Sequence, residues 1–389
     1  MNEKLHFKHR IWGTPGYTAK YELRSDRVPT SAKYLLIGST EAYSGKSATV
    51  LGLFHQLQRK GLDIAYGKPV GSNFDEDRQV EEADVEFIRQ ILNLPSGRLF
   101  PTLLNLNAST VEKRLRGGDT TNYQQAAKQY LQKTGSDLVL LEGAGNLAEG
   151  VLFDLSLPQV AQAIDAAVLL VVRYKSVLSI EALVAAKQKL GNSLIGVLLN
   201  DIPSDQLEFA NNQLRPFLEQ QNIPVLGMLP KNALLRSVSV AELVKQLQAE
   251  VLCRRDRTNL MVESLAIGAM NVNSALKYFR KRRNMAVVTG GDRVEIQLAA
   301  LESSTQCLIL TGQLPPPDFI LNKAEELEIP ILSVDLDTLS TVEIVDRAFG
   351  QVRLHEPIKV ECIRLLMQEH FDIDRLLSIL KIDAAVALS

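Results

Sequence analysis

The residues Thr40-Glu41-Ala42-Tyr43-Ser44-Gly45-Lys46-Ser47 could bind and polarise a chain of phosphates. Backbone N–H groups in a glycine-containing loop, with the N-terminus of a following helix, make an anion site. Lys46 would reach the outer phosphates of a nucleoside triphosphate, and Ser47 would hold Mg²⁺. That chemistry requires the loop to sit between a buried strand and a helix. Tyr34-Leu35-Leu36-Ile37 is apolar and reads as the strand; Ser47–Arg59 reads as the helix. Thr40 stands where a P-loop usually has its first glycine.

The chain continues this alternation to about Gln248. Strands are expected at Asp63–Tyr66, Asp137–Leu141, Ala166–Val172, Leu194–Leu199 and Pro224–Leu229. Helices are expected at Ala83–Leu92, Thr121–Thr134, Ile180–Leu190 and Leu207–Gln221. Near-continuous Val/Ile/Leu strands alternating with helices predict an α/β fold with a mostly parallel sheet covered on both faces. Ligands in such sheets sit at the carboxyl ends of strands. Gly45-Lys46-Ser47, Lys68-Pro69, Glu142-Gly143 and Asn200-Asp201 all fall at such ends.

A second, smaller α/β unit follows the polar break Cys253-Arg254-Arg255-Asp256-Arg257. Its expected helices are Asn273–Arg282, Val294–Leu301 and Phe319–Leu327. Its expected strands are Met285–Val288, Cys307–Leu310 and Pro330–Val334. No internal repeat relates the two units. The expected organisation is an arm at 1–32, a P-loop domain at 33–250, a smaller domain at 251–360 and a helical tail at 361–389. The tail carries an apolar stripe, Ile363, Leu366, Met367, Phe371, Leu376, Leu377 and Leu380. Such a stripe suits packing on its own domain or on a second copy.

Composition narrows the function classes. Among 389 residues the formal net charge is -2, which gives no bulk attraction to nucleic acid or to an acidic surface. The three cysteines are far apart and odd in number, so neither a disulfide framework nor a paired-Cys zinc site is expected; a reducing cytoplasm fits them. The five histidines show no metal-site spacing. No apolar run approaches the roughly 18–20 residues of a membrane span, and the first ten residues lack the apolar core of a signal peptide. A cytoplasmic protein without a membrane segment is expected.

The loop that opens on Thr40 resembles that of dethiobiotin synthetase and its relatives. Gly67-Lys68-Pro69-Val70 is similar to that family's Lys-Pro-Val after the second strand. Leu141-Glu142-Gly143-Ala144-Gly145 is similar to its Val-Glu-Gly-Ala-Gly, and Leu199-Asn200 and Gly227-Met228-Leu229-Pro230 to its base-recognition segments. The resemblance spans roughly Lys33 to Gln248 and implies ATP and Mg²⁺ as cofactors. The nucleotide would be held by Thr40 to Ala48, with Gly143, Gly145, Asn200 and Pro230. Lys46, Lys68 and Glu142 would carry the chemistry, and Ser47, Asp84 and Glu142 would hold the metal. Each residue has a plainer reading as well. Glu142 could cap a turn, Lys68 could be solvated, Asp84 could be a first-turn helix acid, and Asn200-Asp201 could be an ordinary strand-end turn.

The second unit resembles the DRTGG domain, through Ala269-Met270 and Val287-Val288-Thr289-Gly290-Gly291-Asp292-Arg293. Thr289, Gly290, Gly291, Asp292 and Arg293 form a candidate second ligand site for an unidentified small molecule. Asp292 and Arg293 equally suit a helix cap and an ion pair. This domain order is that of the N-terminal part of long phosphotransacetylases. The chain's end at Ser389 leaves no room for their acetyltransferase domain, which argues against that activity. Glutamine-dependent amidation, as in cobyrinic acid amide synthases, is not expected either, since no cysteine lies on a tight Gly-flanked turn. Two functions remain: a nucleotide-responsive regulatory or assembly protein, and an ATP-dependent ligase that activates a carboxylate or carbamate. Whether the chain is an enzyme stays open. The relatives also imply a homo-oligomer.

Overall fold

The computed structural model describes residues 33–71, 83–130, 135–350, 352 and 356–382. The expected arm at 1–32 lies outside them. In chain order the first half contains β1 (Lys33–Ser39), α1 (Lys46–Arg59), β2 (Ile64–Gly67), β3 (Val70–Gly71) and α2 (Ala83–Leu92). Next come β4 (Leu99–Phe100), β5 (Leu104–Asn105), α3 (Ala108–Leu115), α4 (Tyr123–Tyr130), β6 (Leu138–Glu142), α5 (Leu157–Ala163) and β7 (Ala167–Arg173). The half closes with α6 (Ser179–Leu190), β8 (Leu194–Ile202), α7 (Leu207–Phe209), α8 (Arg215–Gln220) and β9 (Val225–Pro230).

Seven of these strands form one sheet in the order β4-β2-β6-β1-β7-β8-β9. Every pairing in it is parallel. Alternate residues of its apolar strands enter two cores. Leu36, Val139, Leu141, Leu170 and Leu199 face one, and Leu35, Ile37, Leu140, Val171 and Leu198 the other. Burial on both faces explains why these strands lack polar alternation. The chain leaves β1 toward β2 on one side and later adds β7 on the other, so strand order reverses beside β1. A crevice at that switch point is where an open α/β sheet takes its ligand.

The predicted helix Leu207–Gln221 is interrupted. A π-turn, Ala210–Leu214, joins α7 to α8. Pro216 follows it and has no N–H for the carbonyl one turn back, so the helix widens where the ladder would break.

The second half contains β10 (Val238–Ser239), α9 (Val240–Leu247), β11 (Glu250–Cys253), β12 (Met261–Val262), β13 (Ser264–Ile267) and α10 (Val272–Phe279). It continues with β14 (Met285–Gly290), α11 (Val294–Leu301), β15 (Thr305–Thr311), α12 (Asp318–Leu327), β16 (Ile331–Val334) and α13 (Thr338–Gly350). Its five-stranded sheet runs β11-β16-β15-β14-β13. Only β11 is antiparallel to its neighbour. Helix α9 precedes the break expected at 250/251, yet its Val240, Leu243 and Leu247 share a core with Val288, Ile309 and Val345 of this second half.

Two helices end the described chain, α14 (Pro357–His370) and α15 (Ile373–Leu380). Their apolar stripe does not cover the smaller sheet. Ile363, Met367, Phe371, Leu376, Leu377 and Leu380 are buried in the first domain's core with Val50, Leu53 and Phe54 of α1. Phe371 also bridges to Gly227 of β9, and Asp372 N–H donates to Leu226 O at 2.7 Å. The chain thus leaves the first domain, builds the second, and returns to brace α1. No helix among the described residues is long and apolar enough to cross a membrane.

Candidate functional site

The loop after β1 and the end of β6 meet because the two strands pair in register, Ile37 opposite Glu142. Gly143 N–H then donates to Ile37 O at 2.9 Å. Helix α1 is preceded by Gly45, whose φ of 104° is a left-handed conformation that favours glycine. No side chain caps this end, and no acid lies in the first turn. Its N–H groups and dipole are of the kind that attract an anion.

The side chains around that helix end form one connected group. Lys46 Nζ donates to Ser39 Oγ at 3.0 Å and to Gly145 O at 3.5 Å. Ser47 Oγ donates to Glu142 Oε1 at 2.8 Å, and Tyr66 OH to Glu142 Oε2 at 3.1 Å. Lys68 Nζ lies 3.9 Å from Glu142 Oε1. Lys46, Lys68 and Glu142 are all buried. Two ammonium groups and one carboxylate are thus gathered beside the helix end. The Ser44 hydroxyl, also buried, has no hydrogen-bond partner among the described residues.

These residues line a cavity of about 370 Å³. From the expected set it brings together Ala42, Tyr43, Ser44, Gly45, Lys46, Ser47, Ala48, Lys68, Glu142, Gly143, Gly145, Asn200 and Pro230. Thr40 and Glu41 belong to the same loop without lining the cavity; the Glu41 carboxylate pairs with Lys175. Asp84 lies in the first turn of α2, and nothing is described of its side chain. Asn200 does not simply offer its amide to a ligand: Nδ2 donates to Ser44 O at 2.9 Å. Gly143 serves packing, because a Cβ there would stand 2.6 Å from Leu157 Cδ1 of α5.

Several lining residues were not expected from sequence. Arg173 Nε and Arg236 Nη1 both lie 3.0 Å from Asp201 Oδ2. Burial pushes the Asp201 carboxyl above its usual range, against the pull of Arg173. Asn232 accepts from Leu234 N at 2.9 Å and so shapes the turn after β9. Glu149 accepts from Gly145 N at 2.7 Å. Phe349 and Gly350, the end of α13, also line the cavity, with Val352 and Ile363. Only Ser39, next to the loop, and the ends of β7 and β9 carried a positional signal; Glu149 and Phe349 carried none.

The second candidate site follows β14. Its polar groups bond to one another's backbone. Thr289 Oγ1 donates to Gly268 O at 3.1 Å, and Arg293 donates to Gly268 O and Met270 O, each at 2.7 Å. Gln297 Nε2 donates to Gly291 O at 2.9 Å. Arg293 thus ties the segment after β13 to the start of α11, while Asp292 is exposed. Burial pushes the thiols of Cys253 and Cys362 up, and that of Cys307 up to about 12, so all three stay protonated near neutrality.

A family model described as AAA domain matches residues 33–239, and one described as DRTGG domain matches residues 242–348. The phosphate acetyltransferase of Nitratidesulfovibrio vulgaris is 25% identical over 358 residues, which cover 87% of this chain and 50% of that protein. The phosphate acetyltransferase of Synechocystis sp. is 25% identical over 375 residues, covering 90% of this chain and 52% of that protein. The chain spans about half the length of these curated relatives, as a match to their N-terminal part would. The uncharacterised protein YtoI of Bacillus subtilis is 31% identical over 130 residues, covering 33% of this chain and 29% of that protein. Among solved structures, septum site-determining protein MinD complexed with Mg-ADP from Pyrococcus horikoshii has a TM-score of 0.32 at 15% identity, covering 53% of this chain and 84% of that one. The CBS and DRTGG domains of Clostridium perfringens pyrophosphatase, complexed with the activator diadenosine tetraphosphate, have a TM-score of 0.27 at 20% identity, covering 45% of this chain and 86% of that one.

Proposed function

Because the chain belongs to the AAA-domain family, whose model spans residues 33–239, we propose that it binds ATP with Mg²⁺ at the end of β1 and passes that event to its second half. The uncapped helix end at Gly45, the buried pair Lys46 and Lys68, and the buried Ser44 hydroxyl, unpartnered among the described residues, support a phosphate chain as the ligand. Ser47 and Glu142 offer hard oxygen donors 2.8 Å apart, which suit Mg²⁺ shared with phosphates. Bound there, the ion would neutralise phosphate charge. Lys46 and Lys68 would orient the outer phosphates, and Tyr66 would keep the Glu142 carboxylate in place.

The observation that carries the regulatory reading is the lining of the cavity. Phe349 and Gly350 end α13, whose Val345 sits in the second half's core with Val288 and Leu332. A nucleotide in this cavity would touch the end of a helix rooted in the DRTGG-matched stretch. The smaller domain, with the turn Thr289–Arg293 as its candidate ligand site, would bias the same helix from its other end. The curated phosphate acetyltransferases match over about half their length, so only their domain pair, and not acetyl transfer, is carried over. This reading takes the protein to be cytoplasmic and a homo-oligomer. Exposed Tyr43, Leu152 and Leu178, on loops after β1, β6 and β7, offer apolar surface beside the site.

Calorimetric titration of the full chain with ATP and Mg²⁺, alongside Lys46→Ala, tests the nucleotide claim. Unchanged ATP affinity in the variant would remove its basis. Slow hydrolysis indifferent to small acids and amines is expected. Strong stimulation by one metabolite, with a phosphorylated or cyclised product, would replace the regulatory reading with the ligase. A monomeric mass by light scattering, with and without ATP and Mg²⁺, would refute the oligomer.

A further inference from the structure

Gly145 is held through both of its peptide groups. Its carbonyl receives Lys46 Nζ at 3.5 Å and Ser39 Oγ at 3.1 Å. Its N–H donates to Glu149 Oε2 at 2.7 Å. Asn146 secures the carboxylate in that position. Its Oδ1 accepts from Ala148 N at 2.8 Å and Glu149 N at 3.1 Å, and its Nδ2 donates to Glu149 Oε1 at 3.1 Å. Gly145 and Glu149 line the same cavity as Lys46, Ser47 and Lys68.

Glu149 therefore holds an anion on a backbone donor within the cavity that the other groups prepare for phosphates. A carboxylate on a backbone N–H is a strong, charge-assisted contact. The P-loop lysine serves the outer phosphates, and here that lysine touches the Gly145 carbonyl. A third phosphate on Lys46 would approach the same glycine whose N–H the Glu149 carboxylate occupies. Two anions cannot share that one donor, and their repulsion is strong in a partly desolvated site.

We propose that Glu149 sets the discrimination between nucleoside diphosphates and triphosphates. The inference rests on reading this cavity as a nucleotide site. A diphosphate binds with Glu149 still on Gly145. A triphosphate binds only by displacing it, which also releases the Asn146 turn. The exposed Val151 and Leu152 follow directly on that turn, so the presence of the third phosphate is transmitted to the surface.

The test compares ADP and ATP affinities, each with Mg²⁺, for the wild-type chain, Glu149→Ala and Glu149→Gln. Thermal melting without nucleotide serves to show that each variant is folded. Glu149→Ala should bind ATP about tenfold more tightly, while ADP stays within about twofold. Glu149→Gln keeps an acceptor for Gly145 but loses the charge, and should gain less. Equal changes for both nucleotides, or weaker ATP binding in both folded variants, would overturn this inference alone. A wild-type chain that binds neither nucleotide would overturn the nucleotide reading, and this inference with it.

Discussion

The Asn200 side-chain amide donates to the Ser44 carbonyl at 2.9 Å and lies 2.5 Å from where a Cβ on Gly45 would stand. The end of β8 is thereby fastened to the loop after β1, across the intervening β7. The contact shapes the loop from outside, with Gly45 held at φ 104°. A preformed loop spares a ligand the cost of ordering it.

Gly45→Ala should therefore fail for two reasons, the left-handed backbone and the collision with Asn200. A loss of about 1–3 kcal/mol in unfolding free energy is expected. Asn200→Ala alone should cost about 1 kcal/mol by leaving the Ser44 carbonyl without this donor. The double variant should lose less than the sum, because removing Asn200 removes one of the two penalties. Urea unfolding of all four proteins measures the coupling. Strict additivity would mean that the clash is not what requires glycine.

Helix α14 packs against α1 at Gly52, where an added Cβ would fall 2.4 Å from Met367 Cγ. Gly52→Ala is expected to destabilise by about 1–3 kcal/mol through overpacking, even though alanine is the better helix former. In a Met367→Ala background the same change should become neutral or stabilising, since the alanine then fills space. A Gly52→Ala penalty of equal size in both backgrounds would show that Met367 is not the obstacle.

The strand-end motifs were legible in sequence for a physical reason. Buried parallel strands must be continuously apolar, so the polar residues at or near which they stop, Lys68, Glu142 and Asn200, with the loop to Lys46 after β1, mark the carboxyl ends where a site must lie. What Asn200 touches was not legible, because a strand-end amide suits a ligand, a turn or a neighbouring loop equally. The stripe from Ile363 to Leu380 announced a packing face, but amphipathicity does not name the surface it covers, and that surface proved to include α1 and β9. Helix α9 was equally ambiguous, since its apolar face would suit either sheet. Glu149 carries no motif. Its place depends on the Asn146 turn, and one acid in a polar loop gives no warning of that.

The α1–α14 contact also carries a pH dependence. His55 Nε2 lies 3.4 Å from Arg364 Nη1. Burial, then the Arg364 and Arg59 charges, hold its imidazole below the ordinary histidine value, with Glu361 opposing them. The unfolded chain then binds the proton more readily than the folded one. Stability should rise with pH through the window just below about 6.5 and be lost as pH falls through it. His55→Gln should flatten that part of the profile relative to wild type, read as Tm between about pH 5 and pH 7. A steeper profile in the variant would mean that protonated His55 is stabilised by Glu361 instead.

Glu142 is the one acid of the buried trio, so its replacement separates the roles of charge and shape. Glu142→Gln keeps the shape but only one accepting oxygen, so it can hold one of Ser47 and Tyr66 as before, and it removes the carboxylate that faces Lys68 at 3.9 Å. Breaking a buried ion pair in this way typically costs about 3–5 kcal/mol, and relaxation around Lys68 can reduce that. The effect on ligand binding runs two ways. Without Mg²⁺, a polyphosphate meets a more positive cavity and should bind more tightly than to the wild-type chain. With Mg²⁺, one of its two protein oxygen donors has lost its charge, and the gain from the ion should shrink. The ratio of ADP affinities with and without Mg²⁺ should therefore fall by at least about tenfold. Calorimetry in excess Mg²⁺ and in EDTA gives that ratio directly. An unchanged ratio would mean that Glu142 serves only to hold Lys68, Tyr66 and Ser47 together.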